Sequence, residues 1–96
     1  MITGKQRAYL RGLANGIDAK VYIGKDDLTE AVIRQIDDYL RKNELCKVKI
    51  QEGSLLDPKA TANEVADMLG AEFVQAIGRR FTLYRESEDN KQIFLP

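Results

Sequence analysis

One change in the spacing of apolar residues constrains this chain more than any other feature. Leu28, Val32, Ile36 and Leu40 recur every fourth position, with Ile33 and Tyr39 widening the stripe, as on the apolar side of a helix of about four turns. Shortly afterwards the period drops to two: Cys46, Val48 and Ile50 alternate with Lys47, Lys49 and Gln51, as in a strand with one buried face. A helix and a strand joined this closely must bury their apolar sides in a common core, so the sequence predicts an α/β fold.

The same two periods place the other elements. Thr3 is the expected N-cap of a first helix that carries Tyr9, Leu10, Leu13 and Ala14 on one side and stops at Gly16. Residues 19–23, AKVYI, form a short β-rich run with Val21 and Ile23 on one face and Lys20 and Tyr22 on the other. Asp27 and Glu30 supply a D-x-x-E capping pattern at the head of the long helix. Pro58 suits the first turn of a third helix, with Ala62, Val65, Ala66 and Leu69 inward and Gly70 closing it.

Residues 72–85 read as two strands turning tightly at Gly78-Arg79-Arg80, which puts arginines at an exposed tip. Arg85 is expected to secure the strand end through Glu86 or Glu88. The segment ESEDNK, 86–91, is expected to be an exposed acidic linker, followed by QIFLP as a docking tail. The predicted order is α-β-α-β-α-β-β with one mixed four-stranded sheet, in a single domain over 1–96 whose residues 86–96 form the C-terminal tail. If the first three strands are parallel, Gly24-Lys25 and Gly78-Arg79-Arg80 come to one edge, where open α/β sheets bind their ligands.

Several chemistries are disfavoured. The 96 residues include no histidine and one cysteine, so an internal disulfide, the usual zinc sets and a nucleophile–histidine pair cannot be assembled. No Walker-type loop or G-x-S-x-G elbow occurs, so neither a catalytic residue, a metal site, a cofactor nor a small-molecule substrate is expected. No apolar run approaches the roughly 20 residues of a membrane span. The start, MITGKQRAYL, lacks the apolar core of a signal peptide, so a cytoplasmic location is expected.

Formal net charge is zero, yet the charges are not evenly spread. Residues 1–25 hold Lys5, Arg7, Arg11, Lys20 and Lys25 against Asp18 alone, and residues 73–85 hold Arg79, Arg80 and Arg85 with no acid. Two basic segments thus stand in a chain that is acidic elsewhere.

Four blocks, TGKQRAYLRGLA, IGKDDLTEAV, LCKVKI and VQAIGRRFTLYRES, together resemble the single-domain bacterial YhbY family, the CRM domain, named for chloroplast RNA splicing and ribosome maturation. The likeness runs over residues 3–96. It implies an α/β fold similar to the C-terminal domain of translation initiation factor three and a non-catalytic RNA-binding function. Its implied partners are ribosomal RNA and precursors of the large ribosomal subunit. The family's GxxG loop, likened to that of KH domains, falls on Gly24, Lys25, Asp26 and Asp27, with Asp27 where the second glycine belongs. Glycines in such a loop let an RNA backbone approach a helix N-terminus; Asp27 is expected to cap that helix itself and to repel phosphate.

The candidate RNA-binding residues are therefore Lys5, Arg11, Gly24, Lys25, Arg79 and Arg80. Gly24 is expected to take the positive φ of its turn. Read without the resemblance, Lys25 is a solvated lysine and Lys5 and Arg11 belong to a solvated helix face. The outward strand residues Lys20, Tyr22, Lys47, Lys49, Thr82 and Tyr84 interleave bases and aromatics as single-strand binding sheets do, although a covering helix or plain solvation explains them as well. The alternative function is a protein-interaction module on the same scaffold, binding ribosomal proteins or an assembly factor.

Overall fold

In the computed structural model, which describes residues 1–96, seven elements follow the predicted order: α1 (Gly4–Ala14), β1 (Val21–Ile23), α2 (Glu30–Asn43), β2 (Leu45–Ile50), α3 (Pro58–Leu69), β3 (Glu72–Ile77) and β4 (Arg80–Tyr84). The four strands make one sheet in the order β1-β2-β4-β3. β1 runs parallel to β2, and β4 is antiparallel to both β2 and β3. Hence β1, β2 and β3 point the same way, and their C-terminal ends share one edge. No helix is long and apolar enough to cross a membrane.

Strand alternation sorts side chains to the two faces. Val21, Ile23, Cys46, Val48, Ile50, Phe81 and Leu83 meet Ile36 and Leu40 of α2 and Ala62, Val65 and Ala66 of α3 in the main core. Each such large side chain taken fully out of water contributes about 1.5–3 kcal/mol. On the other face α1 lays Leu10 and Ala14 over Leu45, Val74 and Tyr84. Tyr9 and Leu13 stay largely exposed, so the apolar stripe of α1 is narrower than its spacing suggests. The tail docks as expected, with Ile93 and Leu95 against this smaller cluster and the Pro96 carbonyl accepting from Gln6 Nε2 at 3.1 Å.

Local chemistry explains most boundaries. The Thr3 hydroxyl accepts from Gln6 N–H at 3.1 Å, and the Gln6 side chain accepts from Thr3 N–H at 3.0 Å, so two donors of the first turn of α1 are satisfied reciprocally. Asp57 caps α3 through Ala60 N–H, with Pro58 at the first helical position and Gly70 left-handed at the end. β1 is shorter than predicted, because the segment before Val21 keeps only the Lys20 N–H bond to Lys47 O.

Two expectations are corrected. α2 is capped by Thr29, whose hydroxyl accepts from Val32 N–H at 3.2 Å, and not by Asp27, which sits at φ 61° with its carboxylate turned to another loop. Arg85 does not pair with Glu86 or Glu88. Its guanidinium donates to Asp37 Oδ1 at 2.8 Å, to Leu69 O at 2.9 Å and to Asp37 O at 3.0 Å, clamping α2 to the end of α3.

The acidic segment is exposed as expected at every position but Ser87, which is buried. Ser87 Oγ, Asn90 Nδ2 and Gln92 Nε2 donate to the Arg41 and Lys42 carbonyls, which a helix end leaves without intrahelical partners. Glu44, left-handed at φ 68° and wholly buried, binds the segment from beneath. Its carboxylate accepts from the backbone N–H groups of Ser87 at 2.7 Å, Gln92 at 2.6 Å and Ile93 at 2.7 Å. Burial pushes the Glu44 carboxyl up, but those three donors and the charge of Lys91 outweigh it, and the net shift is below the ordinary value of 4.5.

Candidate functional site

β1, β2 and β3 end at Ile23, Ile50 and Ile77, and each isoleucine leads into a glycine-bearing loop on the shared edge. The first loop is a turn over residues 24–27 closed by Asp27 N–H donating to Gly24 O at 3.1 Å. The left-handed residue of this turn is Asp27, not Gly24 as expected. Lys25 and Asp26 take the central positions and the reversal of handedness falls on a short polar residue, which tolerates it better than most side chains. Asp27 thus keeps the conformation that a glycine would hold.

The Asp27 carboxylate caps the neighbouring loop instead of α2. Its Oδ1 accepts from the hydroxyl of buried Ser54 at 2.8 Å, and Ser54 Oγ in turn accepts from Leu56 N–H at 3.2 Å. Beside it Gly53 turns at φ 99°, and a Cβ there would lie 3.9 Å from Lys25 Cε. The stem of Lys25 therefore runs beside Gly53, with its ammonium exposed and without an ionic partner.

The third loop is a two-residue hairpin turn between Ile77 and Arg80. Gly78 takes φ 59° at the first central position, as a type II′ turn requires. Arg79 is not free at an exposed tip. It is half-buried, with Nε donating to Ile50 O at 3.1 Å and Nη2 to Gln51 O at 3.3 Å and Ser54 O at 3.0 Å. Only its Nη1 amine is left open. Arg79 thereby ties the hairpin to the second loop, as Asp27 ties the first.

Arg80 does stand exposed, opposite Lys49 on β2 and Ile77 on β3. Neither Arg80 nor Lys49 makes a salt bridge. Lys25, Lys49 and Arg80 are consequently three unpaired cations along one edge. Lys49 was read from the sequence as part of an outward strand face and not of this edge, and the loop residues Gly53 and Ser54 were not singled out. The only local sign was a glycine after the second parallel strand, as after the first and third.

The remaining candidates lie elsewhere. Lys5 is in the first turn of α1, near Glu72, which receives the Ile2 N–H. The length of β3, about 3.3 Å per residue, separates that end from the Gly78 turn. Arg11, exposed in the last turn of α1, is nearer the middle of the sheet. Arg7, between them, faces inward and donates from Nε to Phe73 O at 3.0 Å, docking α1 on β3. No group of three or more His, Cys, Asp or Glu side chains is placed to hold a metal ion.

Unpaired cations on and beside glycine loops at the ends of parallel strands define an α/β module suited to an anionic ligand that approaches the backbone closely. Residues 2–85 match the CRS1/YhbY (CRM) domain, and the chain belongs to that family. It is 35% identical over 96 residues to Probable RNA-binding protein YqeI of Bacillus subtilis, with both chains covered in full. It is 34% identical over 90 residues to a protein of Haemophilus influenzae named RNA-binding protein, covering 94% of this chain and 91% of the relative. The solution structure of a hypothetical Staphylococcus aureus protein, presented as a candidate RNA binder, superposes with a TM-score of 0.84 at 45% identity over the whole of both chains.

Proposed function

We propose that this chain is a non-catalytic RNA-binding protein of the cytoplasm that engages structured ribosomal RNA during assembly of the large ribosomal subunit. The observation that carries the reading is the tied loop edge: Asp27 to Ser54 and Arg79 to Ser54 lock three loops together while Lys25, Lys49 and Arg80 remain unpaired. A loop edge already tied in place brings its free cations to phosphate without first ordering its backbone. The names of the relatives favour RNA as the ligand.

In this reading Lys25 and Arg80 meet phosphates directly, Gly24 keeps the first loop close to the backbone, and Arg79 holds the second loop while presenting its remaining amine. Lys5 and Arg11 extend the contact along α1. The test is sedimentation of the protein from a cell lysate through a sucrose gradient at low salt, at high salt and after ribonuclease treatment. Salt-labile, ribonuclease-sensitive migration with immature large-subunit particles is expected. A protein that stays at the top in every condition removes the ribosomal reading and directs the search to a protein partner.

A further inference from the structure

The sheet face that α1 covers is left open beyond its last turn. There the strands present one side chain each in a directly opposed row: Tyr22 faces Lys49, Lys49 faces Arg80 and Arg80 faces Ile77. The segment that returns from α1 to β1 walls one side, and the groove so formed has a volume of about 610 Å³. That lies within the range of about 300–1,000 Å³ usual for sites that take small molecules.

The lining indicates the chemistry of its occupant. Tyr22 is 51% exposed, and its hydroxyl donates to Ala19 O at 3.2 Å, which holds the ring in place as a platform. No cation lies over that ring, so its face is free for stacking. Lys47 donates from Nζ to the Ala14 and Ile17 carbonyls, each at 3.1 Å. It thereby offsets the negative end of α1, which would otherwise repel an anion in the groove. Lys49 and Arg80, unpaired, carry the positive charge and outnumber the one carboxylate of the lining, the exposed Asp18 on the wall.

Thr82 lies at the floor, between its cross-strand neighbours Lys47 and Gln75, and is 1% exposed. Its hydroxyl oxygen has no hydrogen-bond partner, and a buried polar group in a native fold that lacks one calls for a ligand, water or ion to complete it. A flat ring, a hydrogen-bonding edge and a negative charge are together what an unstacked nucleotide offers, whereas the bases of an intact duplex show only their edges.

We infer that this groove is a subsite for one unstacked nucleotide of single-stranded RNA. The base stacks on Tyr22, its phosphates lie against Lys49 and Arg80, and its polar edge reaches the Thr82 hydroxyl as the Lys47 and Gln75 side chains part. The inference rests on the RNA-binding reading and deepens it. It divides the surface into a loop edge that meets structured RNA and a sheet groove that selects an unpaired base beside it.

The experiment is a fluorescence-anisotropy titration of the full chain with a short labelled oligouridine and, separately, a labelled blunt-ended RNA duplex. Tyr22→Ala is expected to weaken the single strand by about tenfold, as loss of one aromatic stack does, and Tyr22→Phe to restore it. Thr82→Val, which keeps the shape and removes the unpaired hydroxyl, is expected to weaken the single strand without lowering the melting temperature. Neither change should move duplex affinity. If Tyr22→Ala and Thr82→Val leave the single-strand affinity unchanged while Lys25→Ala lowers it, the groove inference is overturned and the RNA-binding reading stands. If the native chain binds neither RNA, both are overturned.

Discussion

Asp27 and Glu44 are the two non-glycine residues at positive φ, a conformation that costs a side-chain-bearing residue of order 1–3 kcal/mol, and in both the carboxylate holds a distant segment. Replacing Asp27 by glycine removes the backbone strain together with the 2.8 Å bond from Ser54. These changes oppose each other, and the expected net effect on stability is under about 1 kcal/mol. RNA affinity should rise, because one negative charge leaves the loop beside Lys25; a titration at low salt checks it. Glu44→Gln sets an amide N–H₂ against backbone donors and should cost about 3 kcal/mol in a urea melt at neutral pH. Because the folded carboxyl lies below 4.5, its contribution is complete above that pH and is lost as the pH falls through the lower folded value. The urea midpoint of the native chain should drop in that acid window, and that of Glu44→Gln should drop less. Neither role was legible locally: Asp27 has the spacing of an N-cap, and Glu44 looks like a surface acid between a helix and a strand. The partner of each lies far along the chain.

At the scale of elements, the β3–β4 hairpin separates two adjacent arginines that the sequence treats alike. The Arg79 guanidinium donates to three carbonyls, one at the end of β2 and two in the second loop, and that of Arg80 donates to none. Arg79→Ala should therefore destabilise the fold by about 2 kcal/mol, and Arg79→Lys should restore little of it, since an ammonium lacks the planar fork that reaches several carbonyls together. Arg80→Ala should leave stability within about 0.5 kcal/mol while weakening RNA binding and reducing the slope of log affinity against log salt by about 1. Thermal melts and salt titrations of the variants separate these outcomes. The hairpin itself was readable, because a glycine between two β-rich runs is a local signal. The allocation of its two arginines depends on the end of β2 and residue 54, brought alongside only by the sheet.

For the whole molecule, Cys46 reports on the integrity of the core. It is fully buried on β2 under α2 and α3, and burial pushes its thiol up to about 12. In the native chain it should react very slowly with a thiol reagent near neutral pH and at the rate of a free thiol in denaturant. A fast native reaction would mean that the main core opens locally. The inward faces of α2, α3, β2 and β4, the cap Thr3, Pro58 at the head of α3 and Gly70 at its end, and the order of elements were all available from the sequence, because period, capping and turn chemistry act over a few neighbouring residues. The placement of β4 between β2 and β3, the tie of three loops through Ser54, the commitment of Arg7 and Arg79 to the fold and the partners of Arg85 were decided only in three dimensions. So was the half-open sheet face beyond α1, which lines up Tyr22, Lys49 and Arg80 from three strands. A cation is free or used according to which oxygens lie within about 3 Å of it, and the folded chain, not the order of residues along it, determines that distance.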